Sequence, residues 1–580
     1  MRTAPIRSMS GSGWNMYVFR DGRRTVTGSE LVSSLTGAVG RWRFAQEHEA
    51  EDLGLAALIA AGELECALLD DANNSAELCQ TASEITEAIS FALQTGQRHS
   101  LSSILQKAEL ICWTTKSEVA VQEGFAYYAL HPRKVSMLLD DLGLKGPAAV
   151  IGIRSIGITL SAVACTSLRL RGLQCRRISV RPTGHPYDRE LELTHALREW
   201  IERSRDSEFL VLDEGPGISG SSFLATAEAL VECGIEAARI HLIGSRAVDP
   251  STLRASNAAE RWTRYHFHVL QNAPLLPPVA GENLSGGAWR NRFHCEQDSI
   301  PASWSPLEPA KFLASNEQSI FRFEGFGHYG SEIGARARLL ASSGFSPRYL
   351  GNCAGFGEYE MVPGRMLSAH DWSPALLERI AEYLALRSTA FASNREQTPE
   401  LEKMLRWDWK LEFGGELDED ESRLIAERVV VCDGRMMPHE WLRTEHGELL
   451  KLDAVSHGDN HFFPGPCDIA WDVAGVIAEW NLQGEDRYAF IREYELRSGD
   501  PVSKRLKPYV LAYTIFSLGW SKMAALAMQG AYDEALLQRD YERYRALALR
   551  VRQSGSAIEV SEPEGQAEDA DHALGSIKIA

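Results

Sequence analysis

Short apolar runs alternate with helical segments from residue 114 to residue 275, and that alternation commits the stretch to a parallel α/β sheet. Four runs stand out: Ala148 to Ile153, Arg176 to Val180, Phe209 to Leu212 and Arg239 to Gly244. With 580 residues the chain is too long for a single core, so further units must flank this one. Residues 1–113 read as mainly helical, with the amphipathic run Leu53 to Leu68 the clearest. Residues 276–308 turn rich in Pro, Gly, Asn and Ser and read as a linker. A second compact region spans 309–552, and 553–580, rich in Ser, Gly, Glu and Asp, reads as a disordered tail. No internal repeat is evident.

The formal net charge of -19 argues against a nucleic-acid surface, which needs clustered Lys and Arg. Anionic ligands stay possible, because backbone amides and a few local cations can hold phosphates in an acidic protein. The ten cysteines form no C-x-x-C pair and sit mostly in apolar stretches, as reduced buried thiols do. Met1 to Gly13 lacks the apolar core of a signal peptide, and the apolar stretch Tyr509 to Trp520 is too short to span a bilayer. The expectation is a cytoplasmic protein with small-molecule partners and no membrane or nucleic-acid partner. A homo-oligomer is left open.

The strongest local signal is the segment Phe209 to Phe223. An apolar strand ends in Asp213 and Glu214, a small-residue loop follows, and a helix begins near Phe223. Two adjacent acids can accept hydrogen bonds from vicinal sugar hydroxyls. Ser219, Gly220, Ser221 and Ser222 at a helix N-terminus can cradle a phosphate, and Gly217 permits the turn. This arrangement resembles the 5-phosphoribosyl-1-pyrophosphate (PRPP) motif of type I phosphoribosyltransferases, although the second acid is Glu and the loop is about one residue longer. About sixty residues upstream, where that family places its pyrophosphate loop, stand Arg154, Ser155, Ile156 and Gly157. Between the two lies a polar insert, Arg181 to Arg189, that resembles the family's mobile loop. The resemblance implies that Asp213 and Glu214 orient the ribose, and that Arg181, His185 and Arg189 stabilise the departing pyrophosphate. The aromatic segment Glu123 to Pro132 falls where the family has a hood over the acceptor. Core packing is the alternative for Phe125, Tyr127 and Tyr128.

In the second half, Asp433 closes the apolar run from Val429, and a predicted hairpin over Trp441 to Leu452 ends at Asp453. The twenty-residue spacing brings both carboxylates to one end of the hairpin. Phosphoryl transfer needs one acid near the attacking hydroxyl and another on a metal ion. The segment resembles the catalytic hairpin of the aminoglycoside-phosphotransferase and choline-kinase group. That resemblance implies catalysis by Asp433, metal binding by Asp453 with His439 or Glu440, and ATP binding by Arg322 with Glu332 as its partner. The family's Lys and His are Arg322 and Cys432 here. Asp472 is expected to buttress the catalytic segment. The spacing of His457, Asp459, His461 and Cys467 lacks the regularity of a zinc site, and an alternative register that makes His457-Gly-Asp459 the catalytic motif leaves too short a gap to Asp472 for the hairpin. The string Gly325 to Gly330 fits GxGxxG but follows its strand, so it does not read as a dinucleotide fingerprint.

The fold expected is therefore α/β: a type I phosphoribosyltransferase Rossmann-like parallel sheet, preceded by a helical region and followed by an α+β protein-kinase-like domain. The chain is also similar to bacterial phosphoribosyltransferases, some of them linked to tellurite-resistance and stress operons. The function implied is a PRPP-dependent transferase acting on a small acceptor, with Mg²⁺ as cofactor, PRPP as substrate, and ATP for the second half. Two alternatives stay open. One is a PRPP or nucleotide sensor with a degenerate kinase-like domain, and the other a protein whose kinase half is the main enzyme.

Overall fold

The computed structural model describes residues 16–17, 22–217, 219–270, 275–293, 300–459, 462–463 and 465–553. Ile218, His461 and the tail from residue 554 lie outside the described residues.

Four helices, Gly28–Arg43, Ala50–Asp70, Ala76–Thr95 and Leu101–Glu109, build the N-terminal region. Thr27 starts the first with a capping box closed by Glu30, and Ser75 caps the third. The strands Arg24–Thr27 and Lys116–Val119 pair antiparallel beside them.

The parallel sheet has the order Cys175–Val180, Ala148–Ile153, Glu208–Leu212, Ile240–Gly244 and His266–Val269. Alternate residues of its strands face opposite layers. Val150 joins one core with the helix Ile156–Leu170 and the N-terminal helices. Ala149, Ile151, Phe209 and Val211 join another with Ser221–Glu232 and Ala258–Trp262. Helix and sheet approach closely where Gly152 and Gly157 meet. A Cβ on Gly152 would stand 2.2 Å from the Gly157 carbonyl oxygen.

A second, antiparallel sheet follows in the order Ala280–Asn283, Lys311–Ala314, Ser319–Phe323, Phe356–Glu360, Tyr349–Cys353, with the helix His328–Ser342 between its third and fifth strands. Residues 276–308 are thus more than a linker. They supply the edge strand Ala280–Asn283 and the short helix Trp289–Arg292. Phe312, Phe321, Phe323, Phe326 and Phe356 of this unit lie in the same apolar core as Val150 and the N-terminal helices. A helical lobe completes the chain with its own core. One helix among the described residues, Leu506–Ala527, is long and apolar enough to cross a membrane. It extends the stretch read as too short, and two thirds of its apolar window is buried inside this lobe.

Candidate functional site

The strand order reverses direction between Ala148–Ile153 and Glu208–Leu212, because the chain builds outward on one side and then crosses to the other. Open α/β sheets bind ligands at the carboxyl ends of the strands flanking such a switch point. Arg154 to Gly157 leaves one of these strands, and Asp213 to Ser222 leaves the other. The Asp213 carboxylate accepts the amide of Glu214 at 2.8 Å, and Glu214 accepts the amide of Gly124 at 2.9 Å. Glu214 is therefore anchored to the short helix Glu123–Ala126.

Burial raises the pKa of Asp213 to about 7 and that of Glu214 to about 8, with the Glu123 charge adding to the second. Each acid keeps its proton in the folded chain over a range where the unfolded chain loses it. Both therefore subtract stability as pH rises from about 4 to about 8. A protein carrying Asp213→Asn and Glu214→Gln is expected to show a flatter decline of Tm across that window. Thermal melts at fixed ionic strength check it, and an unchanged slope contradicts the assignment.

The turn from Ser219 to Ser222 is tightly tied. Gly220 takes φ +72° at the helix N-cap, a left-handed conformation suited to glycine. The Ser221 amide donates to Ser219 Oγ at 3.2 Å, and the Ser221 hydroxyl donates to the Pro186 carbonyl at 2.7 Å. Ser221 is thus engaged by the hairpin Thr183–His185 and Asp188–Glu190, while Ser219 and Ser222 are half-buried and Gly217 is exposed.

The arginines expected to hold pyrophosphate stand differently from the sequence reading. Arg154 donates to the Leu69 carbonyl at 2.8 Å and to Asp70 at 3.1 Å, and Arg181 donates to Asp70 at 2.7 Å. Asp70 closes the long N-terminal helix, a region in which the sequence shows nothing catalytic. An acid from elsewhere in the chain thus pairs with both guanidinium groups, while the Arg181 side chain stays 38% exposed. Arg189 donates to the Pro182 carbonyl at 3.1 Å, and the charge of Asp213 reaches it. His185 is exposed on the hairpin and accepts the Tyr187 amide at 3.2 Å. Ile156 is core, and Gly157 packs beneath the Leu212 carbonyl.

In the second half, the strands Trp441–Thr444 and Leu449–Lys451 form the hairpin, paired also to Gly364–Met366. Fully buried Arg387 staples its two flanks, donating to Val431 O at 2.7 Å and to Ala454 O at 2.9 Å. Asp472 accepts the amides of Asp433 and Gly434 at 2.8 and 2.9 Å, fixing the loop between them. Asp433 is wholly buried. It accepts a hydrogen bond from Tyr383 and lies 3.4 Å from Lys451 and 3.8 Å from His457. Burial alone would raise its pKa, but Lys451, His457 and Arg387 outweigh that and hold it at about 2.

Asp453 takes φ +51°, a strained conformation that persists only where its surroundings enforce it. Its oxygens stand 2.7 Å from Arg322, 2.9 Å from Lys311 and 3.5 Å from His457. Lys311 and Arg322 are register partners on adjacent strands. Arg322 is buried, and its Nη1 and Nη2 have no hydrogen-bond partner among the described residues.

Two expectations are corrected here. Glu332 is exposed and does not pair with Arg322, because the helix turns that position to solvent. The buried acid near Arg322 is Glu324, bonded to Tyr359. His439 lies outside the acid cluster, its ring stacked on Trp289 at 6.1 Å, and burial beside Arg435 lowers its pKa to about 3. Its neighbour Glu440 enters the cluster instead, one step along the same short turn. Glu440, Lys451, Lys311, Arg387 and His457 form the site's framework, and no sequence motif marked Lys451, Lys311 or Arg387.

The donor atoms of Asp433, Glu440 and His457 lie within 4.8 Å of one another, as ligands of a metal would. A resident Mg²⁺ on Asp453 and His439 does not fit these residues. Both Asp453 oxygens face cations, His439 points elsewhere, and the Lys451 ammonium already lies 2.9 Å from Glu440 beside Asp433. Mg²⁺ also favours oxygen donors over imidazole. Beyond His457 opens a cavity of about 360 Å³ between the loop after Asp433 and the last helices, walled by Gly434, Arg435, Phe516, Trp520 and Tyr544.

No protein-family model and no curated protein matches the sequence. Among solved structures the chain is similar to a choline/ethanolamine kinase family protein from Mesorhizobium loti, at 14% identity over 49% of this chain and 95% of that one, TM-score 0.31. It is similar to the choline kinase LicA from Streptococcus pneumoniae, at 15% identity over 42% and 89%, TM-score 0.29. It is also similar to an aminoglycoside 2'-phosphotransferase-IIIa in complex with GDP, at 16% identity over 41% and 89%, TM-score 0.27.

Proposed function

We propose that the chain is a transferase with two sites for small anionic ligands, and that its C-terminal half is a small-molecule phosphotransferase. The observation that supports this is His457, set between Asp433 and Asp453 and lining the cavity. Asp433 itself does not reach the cavity wall. An alcohol seated there gives its proton to the Asp433–His457–Asp453 network, in which each ring nitrogen of His457 faces a carboxylate, Nδ1 3.8 Å from Asp433 and Nε2 3.5 Å from Asp453. The alcohol oxygen attacks the terminal phosphorus of a nucleoside triphosphate, and the bond to the nucleoside diphosphate breaks. Buried Arg322 and Lys311 beside it, both paired with Asp453, supply positive charge behind that network for the phosphate oxygens. Formation of nucleoside diphosphate from ATP in the presence of hydroxylated metabolites tests the reading. Turnover unchanged in Arg322→Met removes it.

A second reading concerns the parallel sheet. The switch point, the acids Asp213 and Glu214 and the turn at Ser219 to Ser222 favour a PRPP-class ligand there. An acceptor nitrogen or oxygen would attack C1 of the sugar, and pyrophosphate would leave with the C1–O electron pair. Asp70 competes with that pyrophosphate for Arg154 and Arg181. Calorimetry with PRPP is expected to show binding that Asp213→Ala/Glu214→Ala weakens at least tenfold, or about 1.4 kcal/mol. Equal affinity in the double variant rules it out.

A further inference from the structure

The cavity beside His457 faces its ligand with guanidinium groups. Four arginines line it, Arg365, Arg435, Arg539 and Arg543, against two acids, Glu479 and Asp540. Glu479 is set back, and Asp540 is 22% exposed and paired to Arg539 at 3.3 Å. The Glu479 side chain is 1% exposed, and its oxygens are spent on Arg543 at 2.7 Å, Tyr513 at 2.8 Å and Tyr544 at 2.7 Å. The arginine side chains stay open, with Arg435 34%, Arg543 40% and Arg539 45% exposed. Their carboxylate contacts fix their positions without covering them. Arg539 is also anchored by the Ile300 carbonyl at 3.0 Å, and Arg435 by Glu440 at 3.3 Å. An entering molecule therefore meets positive charge first, with Phe516, Trp520 and Tyr544 as apolar walls.

We propose that the acceptor held in this cavity is an anionic hydroxy compound of about sugar-phosphate size, bound through Arg435, Arg539 and Arg543. A cationic amino alcohol or amino sugar would have to displace water from these guanidiniums with one partly exposed carboxylate, Asp540, itself paired to Arg539, to receive it. A volume of about 360 Å³ suits a small metabolite. The anion pairs with the arginines on the far wall and leaves a hydroxyl toward His457. This assignment of substrate class rests on the phosphotransfer reading for its hydroxyl, but not for its charge.

The full-length protein is titrated by calorimetry with ribose 5-phosphate and with gluconate, and in parallel with choline and kanamycin. At least one anion is expected to bind, with an affinity that falls steeply as NaCl is raised. Arg539→Ala/Arg543→Ala is expected to weaken it at least tenfold. Arg539→Glu, changed only at an exposed head, is expected to do the same with Tm unchanged, so loss of fold cannot imitate the result. Preference for ribose 5-phosphate points to a phosphate and preference for gluconate to a carboxylate, and either supports the assignment. The assignment is overturned by tighter binding of choline or kanamycin, by anion affinity indifferent to both variants, or by no anion binding up to about 10 mM. Anion binding without ATP turnover would remove the phosphotransfer reading and leave the anion cavity standing.

Discussion

His457→Gln is expected to lower phosphoryl transfer by about 10²–10⁴-fold with the fold intact, the range lost when a positioned proton acceptor is removed. His457 is the group of the acid cluster that lines the cavity, while Asp433 lies wholly buried behind it. Glutamine fills similar space and can still hydrogen-bond to the flanking carboxylates, so Tm should change little. Asp433→Asn should also reduce turnover, through loss of imidazole alignment, yet it removes a charge from a buried network and should lower Tm as well. Rates of nucleoside diphosphate formation read with thermal melts separate the two. Full activity in His457→Gln would return the proton-accepting role to an acid.

The second large effect is on stability. Lys451 is fully buried, 2.9 Å from Glu440 and 3.4 Å from Asp433. Taking away one partner of a buried charge network strands the others, at a cost of about 3–5 kcal/mol. Lys451→Met is expected to lose that much in denaturant unfolding. Its vacated acids, with His457, then present the three-donor set that the ammonium had been neutralising. Mn²⁺ or Mg²⁺ is therefore expected to raise the Tm of Lys451→Met and to leave that of the unaltered protein nearly unchanged. A metal response equal in both would show that the lysine is not the occupant of that space.

The features legible in the sequence are those written in local periodicity. Apolar strands ending in loops announced the parallel sheet, and Asp213 and Glu214 sit at a strand's end, where a switch point can use them. The alternation over Trp441 to Leu452 set the hairpin whose two ends carry Asp433 and Asp453. What could not be read depends on distant partners. Asp70 meets Arg154 and Arg181 from a helix more than eighty residues away in the chain, and neither arginine's neighbours hint at it. Arg387 looks like any helix arginine until its two carbonyl partners are folded around it. The choice between His439 and Glu440 is a one-residue rotation of a short turn, below the resolution of spacing arguments. Glu332 failed for a similar reason, since helical facing is set by what packs on the helix.

The apolar seam that joins the N-terminal helices, one face of the parallel sheet and the phenylalanines of the second sheet has a consequence for how the protein can be handled and how it can change. Severing the chain between its two halves would leave Phe312, Phe321 and Phe356 facing water on one piece and Val150 and Leu160 less covered on the other. Neither piece inherits a finished interior, so any activity must be sought in the intact chain. Drift at that seam is also constrained from three sides at once, since each region supplies part of the others' foundation.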